Sequence, residues 1–325
     1  MVNAQNAVIS DVLSTSIPLD EPIVFHRTGR VEGASLRTRV GIKAYASLGG
    51  LIAENHWRGG RWLRRHVIES LDAEFAVVRF SDDALFRFHL KDFYWNRLLL
   101  RGYEYEQPLA SLLQRLAGEN YAFVDCGANL GYWSILVSSK AYGSKPAVAI
   151  EALQSNAELL ARNCELNGNR FECWHKAIYS RAGEAIELFG DADTHFGASI
   201  RAEWHNSPSQ GMVITTTVDE AARHLARQDV VVKLDVEGVE IDAFEGARET
   251  LAAGALLIYE DHPRDTEHKP TAYLLKAGYE VRLITAKGSF PIRDADMLTQ
   301  EKRRENYEYN LAAFSPACRF RSLLD

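Results

Sequence analysis

Residues 124–134 read Val-Asp-Cys-Gly-Ala-Asn-Leu-Gly-Tyr-Trp-Ser, and residues 147–151 read Ala-Val-Ala-Ile-Glu. An apolar run ending in an acid, a turn with two glycines and an apolar helical start make up the strand–turn–helix unit that holds a nucleoside cofactor. Gly127 permits the tight turn, and Gly131 permits close approach of backbone to a ligand. Glu151 ends the next apolar run, at the spacing where a carboxylate accepts hydrogen bonds from ribose hydroxyls. A dinucleotide turn needs glycine where this chain has Asn129, because the pyrophosphate approaches the backbone there. S-adenosylmethionine carries no phosphate and tolerates the amide. The residues expected to hold it are Asp125, Gly127, Ala128, Asn129, Gly131 and Glu151, with Asp125 facing the methionine ammonium or water.

A second chemical signal lies in residues 230–247, VVVKLDVEGVEIDAFEGA. Side chains two apart on a strand share a face, so Lys233 and Asp235 are neighbours and Glu237 continues that face. A lysine in so apolar a strand is costly unless paired, and Asp235 is the natural partner. Asp235 also stands where the cofactor is expected. Glu260, Asp261 and His262 follow another apolar run. A carboxylate or imidazole within hydrogen-bond reach can take a proton from an acceptor hydroxyl, so Asp235, Glu237, Glu260 and His262 are the catalytic candidates. The alternative is a divalent cation held by Asp235 with Glu260 or Asp261, since hard oxygen ligands suit magnesium or calcium.

These residues need a scaffold that brings them to one edge. Apolar runs at 122–124, 147–150, 171–178, 229–234 and 255–259 alternate with helical patterns at 132–139, 156–167 and 239–252. Continuous apolar runs suit strands buried on both faces of a parallel sheet, and the alternation implies a doubly wound, Rossmann-like α/β sheet. Its ligand sits beyond the carboxyl ends of the strands. Upstream, 75–80 and 84–90 flank the polar turn Ser81-Asp82-Asp83 as a hairpin, and Leu109, Leu112, Leu113 and Leu116 mark one face of a helix over 105–117. The expected division is an N-terminal α/β extension over 1–110, made of a helical segment plus the hairpin, and a cofactor-binding domain over 111–325.

The D-x-G-A-N-x-G loop, the acid at 151 and the run K-L-D-V-E-G-V-E with F-E-G-A resemble the FkbM family of methyltransferases. The likeness covers roughly residues 100 to 315 and extends to Lys176-Ala177-Ile178, Gly197-Ala198-Ser199, Thr217-Val218-Asp219, Tyr259-Glu260-Asp261-His262 and Tyr103-Glu104. The chain departs from the family in having Ala152 where proline often follows the strand acid. The resemblance implies an S-adenosylmethionine-dependent methyltransferase domain, with Ala177 as a further cofactor contact. It also implies methyl transfer to an oxygen of a sugar, glycolipid or secondary metabolite.

The formal net charge of -7 argues against a nucleic-acid partner. Nine cations lie between residues 22 and 68 (Arg27, Arg30, Arg37, Arg39, Lys43, Arg58, Arg61, Arg64 and Arg65), opposed only by Glu32 and Glu54. That excess would suit peripheral contact with an anionic surface. The four cysteines have no metal-ligand spacing, and there is no signal peptide or membrane-spanning run, so a cytoplasmic enzyme acting on a small-molecule or saccharide acceptor is expected. Two other classes share these features: a nicotinamide oxidoreductase using the same turn, and a non-catalytic binding module for an anionic partner.

Overall fold

The computed structural model describes residues 23–33, 35–54, 62, 66–190, 199, 208–226, 229–261, 265–304 and 310–324. The chain divides into two compact units, one of residues 1–77 and 89–101, the other of 78–88 and 102–325. Residues 102–110 belong with the second unit, where Tyr105 packs its ring on Tyr132 and Trp133.

In the first unit β1 (Ile23–His26) and β2 (Val31–Glu32) form a short antiparallel pair, followed by helix α1 (Leu36–Glu54). Helix α1 buries Thr38, Ile42, Tyr45 and Ala46, and the Tyr45 hydroxyl donates to Asn96 Oδ1 at 2.9 Å. The expected hairpin is present as β3 (Phe75–Ser81) and β4 (Ala84–His89), which complete a sheet of order β2-β1-β3-β4. The boundary between the units runs through both hairpin strands.

The second unit continues with α2 (Gln107–Arg115), β5 (Ala122–Cys126), α3 (Tyr132–Val137), β6 (Ala147–Glu151), α4 (Gln154–Leu166), β7 (Glu172–His175) and β8 (Ala177–Ile178). After these come β9 (Ala185–Phe189), β10 (Ser209–Thr216), α5 (Val218–Leu225), β11 (Val230–Leu234), α6 (Glu240–Glu245), α7 (Arg248–Ala252) and β12 (Leu256–Glu260). The chain ends with α8 (Lys269–Lys276), β13 (Glu280–Thr285), β14 (Gly288–Ile292), α9 (Ala295–Arg304) and β15 (Asn310–Phe314).

Among the described residues the main sheet has the order β14-β13-β15-β12-β11-β5-β6-β7. Strands β7, β6, β5, β11 and β12 are parallel, and β15 enters antiparallel beside β12. The fold is the expected doubly wound α/β sheet. Successive strands run outward from β5 to β7 on one side and from β11 to β12 on the other, so the switch point lies between β5 and β11. Every residue of β5, β6 and β11 is buried, as strands covered on both faces require.

Two predicted elements are split. The run 171–178 divides into β7 and β8, because Thr215 and Thr216 of β10 draw Ala177 and Ile178 into a separate small sheet of order β8-β10-β9. The helix over 239–252 breaks at Gly246, whose added Cβ would lie 2.3 Å from the Tyr179 carbonyl oxygen. There Asp219 accepts from the amides of Glu249 and Thr250 and starts the second helix anew.

Helix α4 is fastened by two asparagines. Asn163 accepts from the Arg87 amide at 2.7 Å and donates to the carbonyls of Arg87 and Leu130 at 2.9 and 2.8 Å. Asn167 makes the same paired contact with Leu85. Replacing Asn163 by Leu leaves these backbone groups without their partner. We expect Asn163→Leu to lower the unfolding free energy by about 2–4 kcal/mol in urea titration; an unchanged midpoint would show that water replaces the amide at no cost.

Candidate active site

The switch point places Asp125 beside Lys233 in register across β5 and β11, and the Asp235 amide donates to the Cys126 carbonyl at 3.0 Å. Lys233 is 5% exposed and donates to Asp235 Oδ2 at 3.2 Å, as the spacing of the two residues requires. Burial pulls the Lys233 ammonium down, but Asp235, Asp125 and Glu106 outweigh it and hold it above the usual lysine range. Asp125 is 1% exposed. Its Oδ2 accepts from Ser134 Oγ at 2.7 Å, while its Oδ1 is buried with no hydrogen-bond partner among the described residues. Burial raises its carboxyl, against the pull of Lys233 and Ser134.

The loop after β5 turns on three left-handed residues: Gly127 (φ 72°), Asn129 (φ 51°) and Gly131 (φ 85°). Asn129 tolerates this conformation because its Oδ1 accepts from the Leu130 amide at 2.9 Å. The glycines are required by their neighbours as well as by their angles. A Cβ on Gly127 would lie 1.9 Å from the Asp235 carbonyl oxygen, and one on Gly131 would lie 2.5 Å from Leu160 Cδ1. The absence of a side chain at Gly131 makes room for Leu160 of α4. Ala128 is buried, and its amide and that of Gly127 both donate to the Ile150 carbonyl at 2.9 Å. Glu151 closes the loop from the next strand, accepting from the Asn129 amide at 2.8 Å and the Leu153 amide at 2.9 Å. Burial raises its carboxyl against those two bonds. Ala177 lies in the small sheet, buried with Leu188 and Val213 and packed with Ala152, the residue after Glu151.

The acids expected to converge do so in part. Glu237 sits in a turn beyond the end of β11, and its carbonyl accepts from Ser199 Oγ at 2.6 Å. Glu240 opens α6 and accepts from the Gly238 amide at 3.0 Å; burial, with Glu237 and Asp235 nearby, pushes its carboxyl up to about 7. Glu260 ends β12. Burial, then Asp235, Glu106 and Glu237, push it up to about 9, with Lys233 opposing. Asp261, weighed as a cation ligand, is instead a fully buried anchor. Its two oxygens meet His268 Nδ1 at 2.7 Å and Thr271 Oγ1 at 2.6 Å, and His268 Nε2 meets Thr299 Oγ1 at 3.0 Å, tying α8 and α9 to the end of β12. His262 lies outside the described residues. Among the described residues, no three His, Cys, Asp or Glu side chains are grouped to hold a metal ion.

Sequence reasoning missed Glu106. It is 7% exposed, adopts a left-handed backbone (φ 42°), accepts from Trp133 Nε1 at 2.6 Å and acts on both Lys233 and Glu260. The available signal was an acid directly before Gln107-Pro108, which marks the start of α2.

A folded-state value of about 9 for Glu260 means that the folded chain binds its proton more tightly than the unfolded chain does. That contribution to stability is present below the ordinary glutamate range and is lost as pH rises from there through about 9. Glu260→Gln, a neutral mimic, should therefore unfold at a higher temperature than the wild type near pH 8 and at nearly the same temperature near pH 4. Parallel pH profiles for the two proteins would refute this assignment.

Several solved structures are similar to this chain. The crystal structure of methyltransferase FkbM from Methylobacillus flagellatus KT is 18% identical, with a TM-score of 0.39 over 60% of this chain and 44% of its own; this chain thus spans less than half of that protein. TYW2 from M. jannaschii, solved in complex with AdoMet, is 16% identical, with a TM-score of 0.38 over 74% of this chain and 85% of its own. A precorrin-6y C5,15-methyltransferase from Geobacter metallireducens GS-15 is 12% identical, with a TM-score of 0.38 over 63% of this chain and 85% of its own. No curated protein matches the sequence. The methyltransferase FkbM domain matches residues 125–281, from the acid of β5 into β13. Over that span this chain is similar to the methyltransferase FkbM domain.

Proposed function

We propose that the chain binds S-adenosylmethionine at the β5–β11 switch point and methylates a hydroxyl of a sugar, glycolipid or secondary metabolite. The observation that carries this reading is the charge at that point. Asp235, Asp125 and Glu106 act on Lys233, and Asp235, Glu106 and Glu237 keep a proton on Glu260 against it. Such a site attracts a ligand that brings positive charge, and Asp125 Oδ1 is a buried acceptor still short of a donor. The donor set fits a sulfonium-bearing amino acid nucleoside better than a pyrophosphate, which would add negative charge. When bound, S-adenosylmethionine supplies an electrophilic methyl group.

The rest is the work of the chain's own side chains. Glu151 would hold the ribose hydroxyls, keeping the backbone bonds that already orient it. Asp125 and Asp235 would face the cationic part, with Asn129 and Ala128 setting the loop and Ala177 bordering the base. Glu260 holds a proton up to about pH 9 and so cannot accept one at neutral pH in the free protein. A cation seated beside it lowers that value. Glu260 would then give its proton to solvent and could take the acceptor's, with Glu237 and His262 as the other candidates for that role. Hydroxyls need such a base, which favours an oxygen acceptor. Cys126, Cys164, Cys173 and Cys318 are all free, in keeping with a reducing compartment such as the cytoplasm. Among the described residues no helix is long and apolar enough to cross a membrane.

Two measurements test this reading. Glu151→Ala should weaken S-adenosylmethionine binding by about 1.5–3 kcal/mol in calorimetric titration, the range for hydrogen bonds to a charged group. Unchanged affinity in a folded variant removes Glu151 from the site, and tight NAD binding instead removes the proposal.

Titration of the wild type in buffers of different ionisation enthalpy should reveal proton release on binding, and Glu260→Gln should abolish that release. Glu260→Gln should also cut turnover by about 10²–10⁴. If Glu237→Gln alone carries that loss, the base is Glu237.

A further inference from the structure

In the first unit, α1 shows one face to the protein and another to solvent. Leu36, Val40, Lys43 and Ser47 recur at i, i+4, i+7 and i+11 and form a single stripe, all of it exposed. The stripe opens on large apolar side chains, with Leu36 71% and Val40 58% exposed, and ends on the small hydroxyl of Ser47. Arg39 flanks it on one side, and Arg37 with Leu48, itself 48% exposed, on the other. Arg37 reaches the Ser70 carbonyl at 3.4 Å and Asp72 Oδ2 at 4.0 Å but remains largely exposed. The helix has no acid before Glu54, its last residue.

Two leucines and a valine held in solvent on one helix face are costly. The three cations among them, without one acid on that face, favour an anionic partner over a cationic or neutral one. The cations interrupt the run too often for the helix to cross a bilayer, so it suits the plane of the interface. There the leucines and valine enter the acyl boundary while Arg37, Arg39 and Lys43 stay among the headgroups, their stems adding apolar area. Ser47 sits at the level of the headgroups without cost, since a hydroxyl there keeps its hydrogen bonds. A second copy of this helix would bring like charges together, which disfavours self-pairing through this face.

We propose that the exposed face of α1, centred on Leu36, Val40 and Lys43, binds the surface of an anionic lipid bilayer. The two kinds of contact act together: charge draws the helix to the membrane, and the apolar side chains hold it there. Each Lys or Arg near an anionic surface contributes about fivefold in affinity. The site of methyl transfer lies in the other unit, so this inference stands whether or not the methyltransferase reading does.

The test is flotation of the full chain with two vesicle types: phosphatidylcholine alone, and equal parts phosphatidylcholine and phosphatidylglycerol. Binding should be confined to the anionic vesicles and should fall as salt rises. The double variant Arg39→Gln, Lys43→Gln should bind about 25-fold more weakly, and Val40→Asp should release the protein even at low salt. All three positions are exposed, so circular dichroism should confirm that each variant folds as the wild type does. Equal binding to both vesicle types, variants that bind as the wild type does, or a dimer in solution that is lost in Val40→Asp without any vesicle binding would each overturn the proposal.

Discussion

A lysine buried between strands of a parallel sheet is the interaction on which the site depends. Lys233 occupies the middle of an apolar run where its ammonium cannot be hydrated, so it must be matched locally. Asp125 lies beside it in register and Asp235 two residues on, with Glu106 acting from outside the sheet. The lysine thereby holds acids in place that would otherwise repel one another. Its neighbours are more acidic in sum than it can neutralise, and the surplus appears on Glu260 as a proton held up to about pH 9. The same contacts that make the sheet stable leave the ends of β11 and β12 short of positive charge.

The backbone enforces this arrangement as firmly as the charges do. Gly127 lets the β5 loop pass within contact of the Asp235 carbonyl, so the two strand ends that supply Asp125 and Asp235 cannot drift apart. Gly131 lets Leu160 of α4 pack beneath the loop, and Asn163 of the same helix bonds the Leu130 carbonyl. Glu151 ties the loop to β6 through the Asn129 amide. Loop, strand and helix thus share hydrogen bonds, which suits a site that must hold a ligand in one pose.

Several parts of the methyltransferase FkbM resemblance turn out to serve the scaffold. Thr217 caps α5 by accepting from the Glu220 amide, and Asp219 accepts from the first turn of α7. Gly246 admits the Tyr179 carbonyl. Tyr259 and Asp261 belong to a buried hydroxyl and carboxylate network with Thr271 and His268. The residues that carry the resemblance therefore include several whose contacts hold the scaffold together.

The sequence by itself determined the parts that are local in the chain. The strand–turn–helix at 122–137, the acid closing β6 and the pairing of Lys233 with Asp235 all follow from side-chain period, glycine freedom and the cost of an unpaired buried charge. What depends on partners far along the chain was not legible. Ala177 and Ile178 leave the main sheet because β10 competes for them, and the helix over 239–252 breaks because Asp219 and Tyr179 meet it there. Asp261 reads as a free strand-end acid until His268 and Thr271 occupy both its oxygens. Glu106 carries no periodic signal; only the packing of Trp133 against it brings its charge to Lys233. Local conformation follows from neighbours in sequence, whereas the environment of a charge follows from neighbours in space, and only the tertiary structure supplies those.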